Sequence, residues 1–451
     1  MIFDTGTRVH IVGVGGAGMS GLARLLALRG CRVTGSDARS SAVLDELRAA
    51  GVTVHVGHDA TFVANAQVVL WSPAVATGHV ELEAARERGA TMVTRARVLA
   101  ELAAMQPVVG LTGTHGKTTA TSMMVHVLHA AGIDASRLLG APVVGVGPNG
   151  HWGVGPLVME VDESYGTFRE LVPSSLGLLN VEADHLDYYG DRSTLDAAFA
   201  DLVARTTGPV VVWADDPGNR RVLGEVDRSV TTVGRRDGEW TVSDEVLARR
   251  EARFELNGAG EHLAIELSVT GSHNVANAAV VATLALAIGV EREHVTAGLR
   301  AFVGAPRRFE YRGRWREADV YEDYAHLPGE VAATLAATRA AGYERIVAVF
   351  QPHRVTRTIA LAQEFATAFE GAQRVIVTDI YGAGEANPTG VTGRLVANAV
   401  TGAFAGPVDY AATFDEVVVA LAANPGIDAV LLLGAGDVAD VIGLLPDGLD
   451  A

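Results

Sequence analysis

Two short glycine-rich turns constrain this chain more than anything else in it. The first, Gly13-Val14-Gly15-Gly16-Ala17-Gly18, follows the apolar run that begins at Val9. It precedes a helical pattern that ends near Arg29, with Gly30 placed to stop it. The second, Gly113-Thr114-His115-Gly116-Lys117-Thr118-Thr119, follows Val108-Val109-Gly110-Leu111-Thr112 and precedes a helical pattern that ends near Ala131. A strand, a glycine turn and a helix N-terminus together make a phosphate cradle. Glycine lets backbone N–H groups come close, and the helix dipole favours the anion. Two such turns predict an α/β chain with parallel sheets and two separate phosphate sites.

The two turns differ chemically. The first fits G-x-G-x-x-G, and Asp37 lies where an acidic residue commonly meets a ribose hydroxyl. Gly13, Gly15, Gly16, Gly18 and Asp37 are therefore candidates for a nucleotide diphosphate; a turn that serves only helix–strand packing is the alternative. The second departs from G-x-x-x-x-G-K-[ST], because Leu111 stands five positions before Gly116. It keeps the working parts. Lys117 can reach β and γ oxygens, the Thr118 hydroxyl can hold Mg²⁺, and Gly113, Thr114, His115, Gly116 and Thr119 complete an ATP site.

Composition narrows the class. The 451 residues suffice for about three domains. The formal charge of −17 excludes a broad basic field for nucleic acid or anionic membrane, so each phosphate site must be local. Of 36 basic residues only Lys117 is a lysine, and it falls in the second turn. The single cysteine, Cys31, excludes an internal disulfide and a cysteine metal cluster. The N-terminus lacks a secretory pattern and no long stretch is free of charge and turn formers, so a cytoplasmic protein is expected.

Further buried strands are predicted at 32–36, 68–71, 157–161, 176–181, 210–213, 346–350, 375–378 and 430–433. Residues 230–270 change to short alternating runs that predict antiparallel hairpins, and a long apolar helix follows over about 274–288. Pro107 and Pro306-Arg307-Arg308 mark candidate boundaries, giving domains at 1–106, 107–305 and 306–451.

Nine stretches, taken in order, resemble the Mur ligases, ATP-dependent amide-forming enzymes of peptidoglycan precursor synthesis. They are residues 13–23 (GVGGAGMSGLA), 111–119 (LTGTHGKTT), 160–168 (EVDESYGTF), 180–190 (NVEADHLDYYG), 271–278 (GSHNVANA), 306–309 (PRRF), 323–328 (DYAHLP), 350–358 (FQPHRVTRT) and 381–385 (YGAGE). The resemblance implies a Rossmann-like UDP-sugar domain, a central P-loop ATPase-type domain with a parallel sheet plus a small antiparallel sheet, and a C-terminal Rossmann-like domain. It points to the branch that joins L-alanine to UDP-N-acetylmuramate. The substrates would be that sugar nucleotide, L-alanine and ATP, with Mg²⁺, in a monomer or homodimer that contacts neither nucleic acid nor membrane.

Residue roles follow from the same resemblance. The first turn would hold the UDP diphosphate, with Met19, Ser20 and Ser72 also on the substrate. Lys117, Glu160, His185, His326, Arg354 and Arg357 would be catalytic, and Thr118, Glu160 and His185 would hold metal. By residue type and place alone, Glu160 could equally be a capping or salt-bridge acid, and Asp162 and Glu163 beside it stay open. His185 could be a hydrogen-bonded histidine among acids. Asn274 and Asn277, at i and i+3, share a helix face and would reach ATP, although Asn274 also suits an N-cap. Arg308 would contact ATP, or form an interdomain ion pair. Tyr324 and His326 would serve the amino-acid side. Arg354 and Arg357 would pair with carboxylate or phosphate by fork geometry. Asp379 sits at the end of another predicted strand, where ligands in α/β sheets usually lie.

Some family members carry a carbamylated lysine near a second metal. No lysine follows Lys117, which fits the alanine-adding branch. The family commonly has His-His-Pro where this chain has His326-Leu327-Pro328, and Tyr where Val355 stands. The alternatives are a recycling ligase that adds a preformed tripeptide, a non-catalytic UDP-sugar-binding regulator and, more remotely, an NAD-dependent dehydrogenase.

Overall fold

The computed structural model describes residues 2–71, 75–76, 78–446 and 448–450. Three hydrogen-bonded sheets organise it. The first contains β1 (Arg8–Val12), β2 (Arg32–Asp37), β3 (Thr53–Val56), β4 (Val68–Trp71) and β5 (Thr91–Val93), in the order β3-β2-β1-β4-β5. All its pairs are parallel. The strand order reverses at β1, so the Gly13 turn sits at the point where open α/β sheets bind ligands.

The second sheet has β6 (Val108–Thr112), β7 (Ser136–Leu138), β8 (Gly150–His151), β9 (Leu157–Glu160), β10 (Ser175–Leu178) and β11 (Val210–Trp213). It continues through β12 (Thr231–Gly234), β13 (Trp240–Leu247), β14 (Ala252–Gly258) and β15 (Glu261–Leu267). The order is β15-β14-β13-β12-β11-β10-β6-β9-β7-β8. The small antiparallel sheet expected from 230–270 is not separate: these strands extend the same sheet outward from β11, and β12 pairs with both β11 and β13 in parallel. The second glycine turn follows β6, which is flanked by β9 and β10 in parallel.

The third sheet holds β16 (Glu310–Trp315), β17 (Ala318–Asp323), β18 (Ile346–Phe350), β19 (Arg374–Thr378), β20 (Val408–Ala411) and β21 (Ala429–Leu433), in the order β16-β17-β21-β18-β19-β20. Only β16–β17 is antiparallel. Its central strands are buried along their whole length, as expected where helices cover both faces.

The chain divides into two compact units. One contains the first and second sheets; the other contains the third, together with Leu247–Ala252 and Val269–Ser272. Within the first unit, one apolar cluster runs from Val9 and Ile11 through Leu138 to Met159 and Phe199. The helix Ala17–Leu28 lies so close to β8 that a Cβ on Gly150 would sit 2.0 Å from the Gly21 carbonyl oxygen. Asn149 Nδ2 completes that contact, donating to Ala17 O at 3.0 Å and Ser20 Oγ at 3.1 Å.

Strand β10 ends at Leu178, three residues before the predicted end. The reason is local. Asn180 turns out of the ladder to bond the second glycine turn, and Val181 N–H donates to Asp216 Oδ1 at 3.1 Å.

Candidate active site

The first turn is built from backbone. Gly13 adopts a left-handed φ of 77°, and the N–H groups of Gly13 and Val14 both donate to Ser36 O on β2. Gly15 N–H donates to Asp37 Oδ2 at 2.9 Å, and a Cβ on Gly15 would lie at that same distance from the oxygen. Gly16 caps the helix Ala17–Leu28 without any side chain to bond its first N–H groups. Among the candidates here, Met19 is buried in the core, while Ser20 is buried and donates to Ala17 O. Ser72 lies outside the described residues. Arg95, at the start of the helix Arg95–Ala103, places its guanidinium against Gly18, where a Cβ would be 3.0 Å from Cζ. The same guanidinium faces Asp162 at 3.6 Å.

The second turn is held by side chains. Gly116 caps the helix Lys117–Ala130 with a left-handed φ of 84°. Asn180 clamps the turn: its Oδ1 accepts from His115 N–H at 2.8 Å and its Nδ2 donates to His115 O at 3.0 Å. Thr114 Oγ1 accepts from Glu182 N–H at 2.9 Å. Asn277, on the helix Ser272–Ala287, lies against Gly116, whose Cβ would meet Oδ1 at 2.9 Å. Asn274 lies one turn earlier on that helix and is buried. Thr119 is buried one turn into the Lys117 helix.

Lys117 Nζ donates to Gly113 O at 2.7 Å and to Glu163 Oε1 and Oε2 at 2.9 and 2.8 Å. Asp162 Oδ1 is 4.0 Å away. Glu160 Oε1 accepts from Gly140 N–H at 2.7 Å, and Thr118 bonds the same carboxylate. Burial pushes the carboxyls of Glu160 and Glu163 up from the usual range, with Lys117 offsetting part of that. Burial acts on Asp162 too, but Lys117, Ser164 and Arg95 outweigh it and hold Asp162 low.

His185 sits in a left-handed conformation, φ 52°, at the start of the helix Leu186–Tyr189. That turn aims Nε2 at Glu163 Oε1, 4.0 Å away, and Asp184 Oδ2, 3.7 Å away. Glu163, Asp184 and His185 offer ligand atoms within 4.8 Å of one another. Oxygen-rich donors with Lys117 as the one lysine leave an excess of negative charge, which fits a hard divalent cation. The structure therefore brings Lys117, Thr118, Glu160, His185 and Asn277 to one place. It selects Glu163 from the acids left open beside Glu160 and adds Asp184, Asn180 and Arg95 to the residues singled out from sequence. Arg95 and Asn180 carry no local signal.

The second unit gathers its own polar group at the carboxyl ends of β17, β18 and β19. Asp323 Oδ1 accepts from Ala325 N–H and Oδ2 from Phe309 N–H, and burial raises its carboxyl. Arg307 and Arg308 both stack on the Tyr324 ring, at 4.9 and 5.2 Å. His326 is packed 5.3 Å from Tyr324 and 5.8 Å from His353, and Glu330 Oε2 accepts from its N–H at 2.9 Å. His353 is stacked on Tyr381 and bonded to Arg357 at 3.2 Å. Burial, His326 and the arginines lower it to about 4, so it is neutral at pH 7. Arg354 has a left-handed φ of 70° and faces Glu385 at 3.7 Å. Asp379 Oδ1 accepts from Ile380 and Gly393 N–H.

Sequence comparison decides the family. The model described as "Mur ligase family, catalytic domain" matches residues 8–107, "Mur ligase middle domain" matches 153–285, and "Mur ligase, glutamate ligase domain" matches 307–436. The chain belongs to the Mur ligase family. Among curated Mur ligases it is 42% identical to the UDP-N-acetylmuramate–L-alanine ligase of Thermobifida fusca, over 96% of this chain and 95% of that one. It is 40% identical to the enzyme of the same name from Halorhodospira halophila, over 98% and 94%. Its fold is similar to the solved UDP-N-acetylmuramate-alanine ligase of Thermotoga maritima, with a TM-score of 0.83 at 29% identity and 96% and 97% coverage. A murein peptide ligase of Psychrobacter arcticus is more distant, at 0.71 and 25%, with 98% of each chain covered.

Proposed function

We propose that this chain is an ATP-dependent ligase that joins L-alanine to UDP-N-acetylmuramate in the cytoplasm, giving ADP and phosphate. The observation that carries the reading is the pairing of Lys117 with Glu163, beside Glu160 and His185, at a glycine turn that opens a helix. We assign the sugar nucleotide to residues 1–106, ATP to 107–305 and the amino acid to 306–451.

A carboxylate does not condense with an amine in water until it is activated. In this reading the lactyl carboxylate of the sugar attacks the γ-phosphorus of ATP, and ADP leaves from an acyl phosphate. The alanine amine then attacks the acyl carbon, and the tetrahedral intermediate collapses with loss of phosphate. The first step brings two anions together, so positive charge must be concentrated there. Lys117 supplies it by exchanging Glu163 for the β and γ oxygens. The Gly113–Thr119 turn holds the phosphates through the N–H groups of Gly116–Thr119, those of Thr114 and His115 being held by Asn180, and Asn277 fixes the turn. Arg308 and Asn274 we assign to ATP, and Tyr324, His326, Arg354 and Arg357 to the amino-acid end. Thr118, Glu160, Glu163, Asp184 and His185 are the residues that would hold Mg²⁺, whose chemistry is to neutralise phosphate charge.

Phosphate release should require both UDP-N-acetylmuramate and L-alanine. Release that proceeds with neither, or that needs a tripeptide in place of alanine, would sink the assignment.

A further inference from the structure

We propose that His58, His79 and Glu81 form a binding site for a transition-metal cation of the zinc class, separate from the phosphate sites. Glu81 lies in the helix Val80–Glu87, yet its side chain is wholly buried. Its Oε2 accepts from Ser36 Oγ at 2.6 Å and faces His10 Nε2 at 3.1 Å. Its Oε1 faces His58 Nδ1 at 3.0 Å and accepts from Asp59 N–H at 3.2 Å. Four donors on one carboxylate favour its ionised form. Among the described residues its ion pairs are to His10 and His58, and no arginine pairs with it. A buried anion whose neighbours are imidazoles lacks a permanent counter-charge, and such charges are stable when they are paired or bind a metal.

The geometry supplies the rest. His58 and His79 pack edge to face at 4.3 Å, and the ligand atoms of His58, His79 and Glu81 all lie within 4.8 Å of one another. Zinc–nitrogen and zinc–oxygen bonds of about 2.0–2.2 Å put neighbouring ligands roughly 3–3.5 Å apart, close to the His58–Glu81 spacing. His10 and Ser36 grip the far oxygen of Glu81 in the way outer partners orient a metal-bound carboxylate. Two imidazoles and one carboxylate select zinc or cobalt over magnesium, which prefers oxygen. A cation here would fasten the loop after β3 to the start of the Val80 helix. Those two segments adjoin Ser36, whose carbonyl holds the first glycine turn.

Chelator-stripped full-length protein, held in excess Mg²⁺, would be titrated with Co²⁺ and followed by visible absorption. His79 Nδ1 accepts from Glu81 N–H at 3.3 Å, and a cation would take that lone pair in its place, so the informative variant is His79→Asn, which keeps a capping side chain. The expected result is one equivalent of cobalt with intense visible bands, displaced by Zn²⁺. His79→Asn should weaken it ~100-fold or more, Ser36→Ala about 10-fold, and His185→Ala should leave it unchanged. Absence of stoichiometric binding, binding that His79→Asn leaves intact, or binding that His185→Ala removes would each overturn the proposal.

Discussion

The two glycine turns of the first unit look alike in sequence and are built by different means. At the Gly13 turn the nearest side-chain contact is an acid, Asp37, and the helix start is capped by Gly16 alone. At the Gly116 turn a lysine, an asparagine clamp and a group of buried acids converge within a few ångströms. A diphosphate that is only held needs fixed N–H groups and a helix dipole, which are present before the ligand arrives. A phosphoryl group that is transferred needs charge that can shift with the reaction, and mobile side chains supply it. The contrast teaches that a glycine motif reports an anion, while the side chains behind it report whether chemistry follows.

The largest effect should come from Lys117→Ala. Turnover should fall at least ~10³-fold, in line with removal of a main charge donor in phosphoryl transfer. Binding of UDP, measured by calorimetry, should stay within about two-fold, because the Gly13 turn uses no part of that side chain. Equal loss of both would erase the distinction between the turns.

Next in size is Gly116→Ala. A left-handed φ of 84° and Asn277 Oδ1 at 2.9 Å from the new Cβ oppose it. Strain of about 1–3 kcal/mol is expected locally, read as a raised KM for ATP. Gly15→Ala tests the other turn: its Cβ would crowd Asp37 Oδ2, so UDP affinity should drop about 10-fold while the KM for ATP holds. If each substitution moved both constants equally, the sites would not be separable.

The smallest effect is on stability. Burial raises the Glu160 carboxyl, so the folded state holds that proton more tightly than the unfolded chain does. The associated stability is present below the ordinary glutamate pKa of about 4.3 and is lost as pH rises through the raised folded value. Glu160→Gln should therefore raise the Tm of the ligand-free protein by a few degrees at pH 7 and change it little at pH 4, while lowering kcat. A lower Tm at pH 7 would show that the bonds to Gly140 and Thr118 matter more than the desolvated charge.

Much of this was legible in local sequence. Strands such as β11 and β18 are unbroken apolar runs, and each glycine turn sits at the junction of two periodicities. The residues that escaped reading act at long range. Asn180 clamps a turn 65 positions earlier, and Glu81 gathers His10 and Ser36 from 71 and 45 positions away. Asn149 reaches Ala17 across 132 positions to join the first two sheets. No spacing rule reports such partners, because they depend on how sheets stack. Met19 and Ser20 illustrate the converse: they lie within the motif, yet the helical period turns both inward.

The most direct test pairs two readings on one variant: phosphate release and UDP binding in Lys117→Ala, each beside the native chain. Alanine-dependent, sugar-nucleotide-dependent phosphate release that disappears while UDP still binds at near-native affinity is the expected outcome. Phosphate release that survives the loss of Lys117, or UDP binding that disappears with it, would contradict the division of labour between the two turns.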